Sequence, residues 1–201
     1  MFQKIKIIVK DRIMKKLLIC IDVQNSFIDG ELGSEQAKNI VPNVVKKIEE
    51  FNNGLIITTQ DTHYDNYMDT PEGKYLPVPH CIAGTDGWKI NDDIQDAINQ
   101  RIAIDGVSSM NIKKPTFGSM SLANFIDSYV RSLDENEDVN IEICGIVSSI
   151  CVISNALLIK TMLYDLNRVT ISVIKDCCAG LNDYNHEAAM EVMKSCQINV
   201  I

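Results

Sequence analysis

Short apolar runs rich in Ile, Val and Leu alternate along the chain with longer stretches whose apolar residues recur at helical spacing. The runs cover residues 17–21, 55–59, 141–147, 169–174 and 198–201. The helical stretches cover residues 35–52, 92–100, 119–133, 149–166 and 185–196. A strand that is apolar at every position, not at alternate ones, is covered on both faces. The pattern therefore predicts an α/β fold, a three-layer αβα sandwich around a mostly parallel, doubly wound sheet. A weaker strand is expected near Ile112, ending at Lys113 and Lys114.

Two segments depart from the short connections of such a domain. Residues 60–89 contain Pro71, Pro77, Pro79, Gly73, Gly84 and Gly87, and residues 113–119 form a second turn. Long loops in a compact domain are usually functional or disordered. This one carries His, Asp and aromatic side chains, which predicts the wall of an active site. The acidic residues 134–138 read as a solvated loop.

A chain of 201 residues with 46% hydrophobic content can bury one sizeable core. One domain is expected over residues 14–201, with residues 1–13 as a dispensable extension. The net charge of −8 counts against binding a phosphate backbone, so nucleic acid is not an expected partner. The apolar patch at residues 5–9 is too short for a signal-peptide core and is interrupted by Lys6. No stretch approaches the roughly 20 apolar residues of a membrane span. Seven cysteines, at positions 20, 81, 144, 151, 177, 178 and 196, show no CxxC spacing. They suit free thiols in a reducing compartment, and a soluble, cytoplasmic protein is expected.

In parallel α/β sheets ligands lie beyond the carboxyl ends of the strands. The first run ends in Asp22, followed by Gln24, Asn25 and Phe27; the second leads to Asp61 and His63; the weak strand ends at Lys113 and Lys114; the fourth leads into Cys151. An acid, a pair of metal-ligand types, a lysine and a thiol thus converge on one cleft. The thiol sits at the first turns of a helix, where backbone N–H groups and the dipole favour a thiolate.

The motifs LLICIDVQNSF at 17–27, DTH at 61–63, PHCIAGTDGW at 79–88, KPTFGS at 114–119 and GIVSSICVISNAL at 145–157 occur in that order. In them the chain resembles the isochorismatase-like cysteine hydrolases, a family that includes the nicotinamidases. The resemblance implies a catalytic triad of Asp22, Lys114 and Cys151. Asp22 would take the thiol proton, and Lys114 would hold carboxylate and thiolate in their charged forms. It further implies a cis peptide at Ile146–Val147, and backbone N–H groups of Val147 and Cys151 as the oxyanion site. Asp61, His63 and His80 stand where the family's nicotinamidases hold a metal, which implies Zn²⁺ or another divalent ion on three protein ligands. Homo-oligomers are also usual in the family.

Two departures bear on the substrate. Thr62 replaces an aromatic residue of the metal motif, and residues 64–70 lack a further histidine. With Phe27, the segment at 67–79 offers Tyr67 and Tyr75 as pocket wall. The expected reaction is hydrolysis of a small amide, with nicotinamide leading. The alternatives are a metal-independent amidase acting on another small amide, N-carbamoyl or ureido compound, and a thiol-redox or ligand-binding module using Cys144, Cys177 or Cys178. Cys151 counts against the family's vinyl-ether hydrolases. Trp88 is expected to pack the loop beneath His80, with His186, Cys177 and Cys178 structural.

Overall fold

The computed structural model describes residues 14–104 and 106–201; the extension at residues 1–13 lies outside them. Six strands form one parallel sheet: β1 (Met14–Ile21), β2 (Gly54–Asp61), β3 (Val107–Lys114), β4 (Asp138–Ile146), β5 (Val169–Ala179) and β6 (Asn199–Val200). Their order is β3-β2-β1-β4-β5-β6. The helices are α1 (Asn25–Ile28), α2 (Glu35–Glu50), α3 (Pro71–Tyr75), α4 (Asp92–Ile102), α5 (Met120–Ser132), α6 (Ile153–Met162) and α7 (Asp183–Ser195). α2 packs on α4, while α5 packs on α6 and α6 on α7, giving a helical layer on each side of the sheet. No described helix is long and apolar enough to cross a membrane.

Leu17, Leu18, Ile19, Cys20 and Ile21 of central β1 are fully buried, as are Ile141, Ile143 and Cys144 of β4. α2 turns Ala37, Ile40, Val41, Val44 and Ile48 inward at helical spacing, and the Ser34 hydroxyl caps its first turn by accepting from Ala37 N–H. β3 is an edge strand whose burial alternates, so its sequence lacks the continuous apolar run of the central strands. It is nevertheless eight residues long, more than the weak strand expected.

Three other boundaries differ from expectation. The helix expected at 149–166 begins with a π-helical turn, Ser148–Val152, before α6. α7 starts at Asp183, two residues before the expected stretch, and the Asn182 side chain caps it by accepting from Asn185 N–H. The long loop contains a 3₁₀ turn, Tyr67–Asp69, and the short α3.

The chain leaves β1 for β2 on one side, and β4 lies on the other, so the crevice at their carboxyl ends is the topological switch point. Gly145 secures that junction. Its φ is +124°, and a Cβ there would sit 2.0 Å from the Ile21 carbonyl oxygen. Any side chain would push β4 off β1 directly beneath Asp22 and the turn carrying Cys151.

Candidate active site

Asp22 follows β1 with its backbone in the left-handed region, φ +49°. Its N–H donates to Thr59 Oγ1 at 3.1 Å, and the Thr59 hydroxyl donates to Asp22 Oδ1 at 2.7 Å. The other carboxylate oxygen, Oδ2, lies 2.6 Å from Lys114 Nζ. Lys114, the last residue of β3, is buried; its ammonium donates to the Thr116 carbonyl at 2.9 Å and lies 3.7 Å from Cys151 Sγ. Cys151 is 5% exposed, and the Asp22 charge acts on its thiol. The structure thus brings Asp22 and Cys151 to the one ammonium of Lys114, from three different strand ends.

Burial and the neighbouring charges act on all three groups. Burial penalises the Lys114 ammonium, yet the charges of Asp22, Cys151 and Asp61 outweigh it and hold the ammonium above its ordinary range. Burial raises Asp22, against the pull of Lys114. Burial, then the Asp22 charge, also pushes the Cys151 thiol well up, and Lys114 only partly opposes this. Burial of the sulfur thus works against the thiolate that a helix start favours, and the Lys114 ammonium works for it.

The peptide Ile146–Val147 is cis. The Val147 carbonyl accepts from the N–H groups of Ile150 and Val152, which draws the π-helical turn tightly onto the end of β4. Cys144 points its sulfur at Cys20, 3.6 Å away across β1 and β4.

Beside the thiol, Asp61, His63, Glu72 and His80 each offer a ligand atom, all within 4.8 Å of one another. Asp61 Oδ2 lies 3.0 Å from His63 Nε2 and 3.5 Å from His80 Nε2, while Glu72 Oε1 lies 3.7 Å and 3.9 Å from the same two nitrogens. His80 Nδ1 donates to the Val78 carbonyl at 2.8 Å, so in the neutral ring Nε2 is the nitrogen available to a metal. Two imidazoles and two carboxylates suit Zn²⁺ or a similar divalent ion, and the arrangement is able to hold one. The three expected residues are brought together, and Glu72, which was not anticipated, stands with them as a fourth candidate donor. Asp61 joins the two groups of residues, because its Oδ1 lies 3.5 Å from Lys114 Nζ. Gln24 clamps the Asp61 backbone from both sides, its Nε2 donating to Asp61 O at 2.9 Å and its Oε1 accepting from Asp61 N–H at 2.7 Å.

A cavity of about 510 Å³ opens over His63 and Glu72, and its other side is formed by Pro115, Thr116 and Phe117 of the turn after Lys114. Of the three expected wall residues, only Tyr75 lines it, at 94% exposure on the rim. Tyr67 is 1% exposed and packs tilted and edge-on against the imidazoles, its ring centroid 4.7 Å from that of His63 and 5.1 Å from that of His80. Phe27 packs on His80 at 5.4 Å. Both therefore support the ligands and do not line the cavity. The Trp88 indole N–H donates to Thr62 Oγ1 of the same loop, and the exposed Lys113 lies 4.7 Å over its ring. His186 Nδ1 and the Ser148 hydroxyl share a hydrogen bond of 2.8 Å, and Cys177 and Cys178 are buried in β5.

A doubly wound parallel sheet with a thiol, a carboxylate and an ammonium buried together at its switch point defines an α/β protein arranged for nucleophilic chemistry. Residues 16–201 match the isochorismatase domain, and the chain belongs to the isochorismatase family. It is 23% identical over 199 residues to the nicotinamidase/pyrazinamidase of Mycobacterium tuberculosis, covering 92% of this chain and 98% of that protein. A stretch of 79 residues is 38% identical to the isochorismatase family protein PncA of Bacillus subtilis, spanning 37% of this chain and 43% of that one. The fold matches the pyrazinamidase/nicotinamidase of Streptococcus mutans with a TM-score of 0.75 at 24% identity, covering 93% of this chain and 100% of the other. It matches the pyrazinamidase of Pyrococcus horikoshii in complex with zinc with a TM-score of 0.70 at 23% identity, covering 93% and 98%.

Proposed function

We propose that this chain is an amidase that hydrolyses nicotinamide to nicotinate and ammonia through Cys151, Asp22 and Lys114. The observation that carries the reading is the single ammonium of Lys114, 2.6 Å from Asp22 and 3.7 Å from Cys151. The nicotinamidase relatives and the four-donor cluster beside the thiol support the choice of substrate.

As the sulfur attacks the amide carbonyl carbon, the thiol proton passes to the Asp22 carboxylate. Lys114 stabilises the negative charge moving between them. The Val147 and Cys151 N–H groups receive the oxyanion. Protonated Asp22 then gives its proton to the departing nitrogen, the C–N bond breaks, and ammonia leaves a thioester on Cys151. Water attacks that thioester while Asp22 takes its proton; the acid product departs and the thiol is restored. Asp61, His63, Glu72 and His80 would hold a divalent ion, which supplies a Lewis-acid position for the pyridine nitrogen.

Benzamide keeps the carboxamide and lacks the ring nitrogen, so ammonia release from benzamide is expected to be slower than from nicotinamide by about 100-fold in kcat/KM. Equal rates on the two would reject the nicotinamide assignment in favour of a metal-independent small-amide hydrolase.

The two adjacent lysines separate the reading from a general charge effect. Lys114→Met leaves the buried carboxylates of Asp22 and Asp61 without their cation, a change costing about 3–5 kcal/mol, and turnover is expected to disappear. Lys113→Ala removes only an exposed cation–π contact of about 0.5–1 kcal/mol and should keep near-parent kinetics. Thermal melts and initial rates on both variants check this; comparable activity losses in the two would contradict it.

A further inference from the structure

Asn155 lies four residues beyond Cys151, on the first turn of α6, and is fully buried. A buried amide among the apolar residues of this helix must be hydrogen-bonded to be tolerated. Its carboxamide makes three bonds, and together they join two segments of the site. Oδ1 accepts from Ser119 N–H at 2.9 Å. Nδ2 donates to the Phe117 carbonyl at 3.0 Å and to the Cys151 carbonyl at 2.8 Å. The amide's orientation is fixed by its partners, since two carbonyls only accept and a backbone N–H only donates.

The segment held from the far side is the turn that follows Lys114. It carries Phe117, which lines the cavity, and Thr116, whose carbonyl receives the Lys114 ammonium. It also lies directly against α6: a Cβ on Gly118 would come within 2.9 Å of Leu158 Cδ1 and 3.4 Å of Ser154 Cβ. On the nucleophile's side, Asn155 holds the carbonyl of Cys151 itself, where the chain passes from π-helical to α-helical winding. Irregular winding of this kind is often found at functional sites.

From these contacts we infer that Asn155 is a positioning residue that sets the nucleophile turn against the Lys114–Phe117 turn, and so fixes both the thiol's cation and the substrate's seat. The inference rests on the amidase reading above. A displacement of about 1 Å between reacting groups can cost on the order of 100-fold in rate, so a tie between these two turns acts on catalysis as well as on stability.

The test uses the full chain with Asn155→Ala and Asn155→Asp, and Ile159→Val as a control buried one turn further along the same helix. Asn155→Asp keeps the shape and the Ser119 bond but sets a carboxylate against two carbonyls, so it serves if the alanine variant does not fold. For each folded protein, kcat and KM are measured separately, and the rate of iodoacetamide alkylation at Cys151 is followed by peptide mass. The Asn155 variants are expected to lose about tenfold or more in kcat/KM, with KM raised as well as kcat lowered, and to alkylate Cys151 several-fold more slowly. Ile159→Val should lose stability and keep parent kinetics. An Asn155 variant with KM, kcat and alkylation rate all within about twofold of the parent would overturn the inference. If the parent turns over no amide, the amidase reading falls, while the alkylation comparison still decides the role of Asn155.

Discussion

Replacing Cys151 with alanine is expected to lower turnover by at least about 10³-fold while leaving the fold intact. The sulfur is nearly buried and its chemistry has no substitute among the side chains around it: Asp22 and Lys114 form an ion pair, and neither can form the thioester. Volume matters little by comparison. The site loses one sulfur atom, and the change in stability should stay within about 1 kcal/mol. Asp22 keeps both its Thr59 bond and its lysine in the variant, so no buried charge is orphaned. Initial rates of ammonia release with a thermal melt check both halves. A large fall in melting temperature with substantial residual activity would contradict the account.

The metal cluster should yield the second large effect. Protein purified without chelator is expected to carry close to one divalent ion per chain by elemental analysis, and His80→Ala should lose most of it. His80 supplies a nitrogen whose ring is already oriented by Val78 and backed by Phe27 and Tyr67. Ligands oriented in this way contribute strongly to metal affinity. Glu72→Gln is expected to weaken binding by at least about tenfold, because a neutral amide replaces an anionic donor. Dialysis against graded chelator, read as residual metal, separates these variants from the parent. A metal content unchanged in His80→Ala, or no metal in the parent, would reject the assignment of these side chains as ligands.

Much of the architecture was legible because the central strands are apolar at every position, as strands covered on both faces must be. β3 was less visible: as an edge strand it exposes Ser108, Ser109, Asn111 and Lys113, and polarity there looks like a loop. The positions of Asp22, Asp61, Lys114 and Cys151 at or after strand ends were legible for the same reason the fold was. Depth was not. Whether a thiol at a helix start is exposed or buried depends on what packs over it, and here the sulfur is buried.

Glu72 escaped because it comes from a short helix inside the long loop, nine positions beyond His63, and nothing local to a glutamate announces a ligand. Tyr67 was misassigned for a related reason. An aromatic residue in a loop suggests a pocket wall, but this one donates its hydroxyl to the Leu76 carbonyl and turns its ring inward against the two histidines. Gln24 and Asn155 were both visible as polar residues within motifs. Their roles are backbone ties across 37 and 36 residues of sequence, which only the folded chain brings together.

The central claim is that the buried thiol of Cys151 is the nucleophile of an amidase. Its most direct test is stoichiometric alkylation: the protein is treated with iodoacetamide with and without nicotinamide, and ammonia release is followed alongside the modification of each cysteine by peptide mapping. The account predicts that activity falls in proportion to the alkylation of Cys151, independently of exposed Cys196, and that nicotinamide protects both the thiol and the activity. Full activity in protein whose Cys151 is alkylated would contradict it.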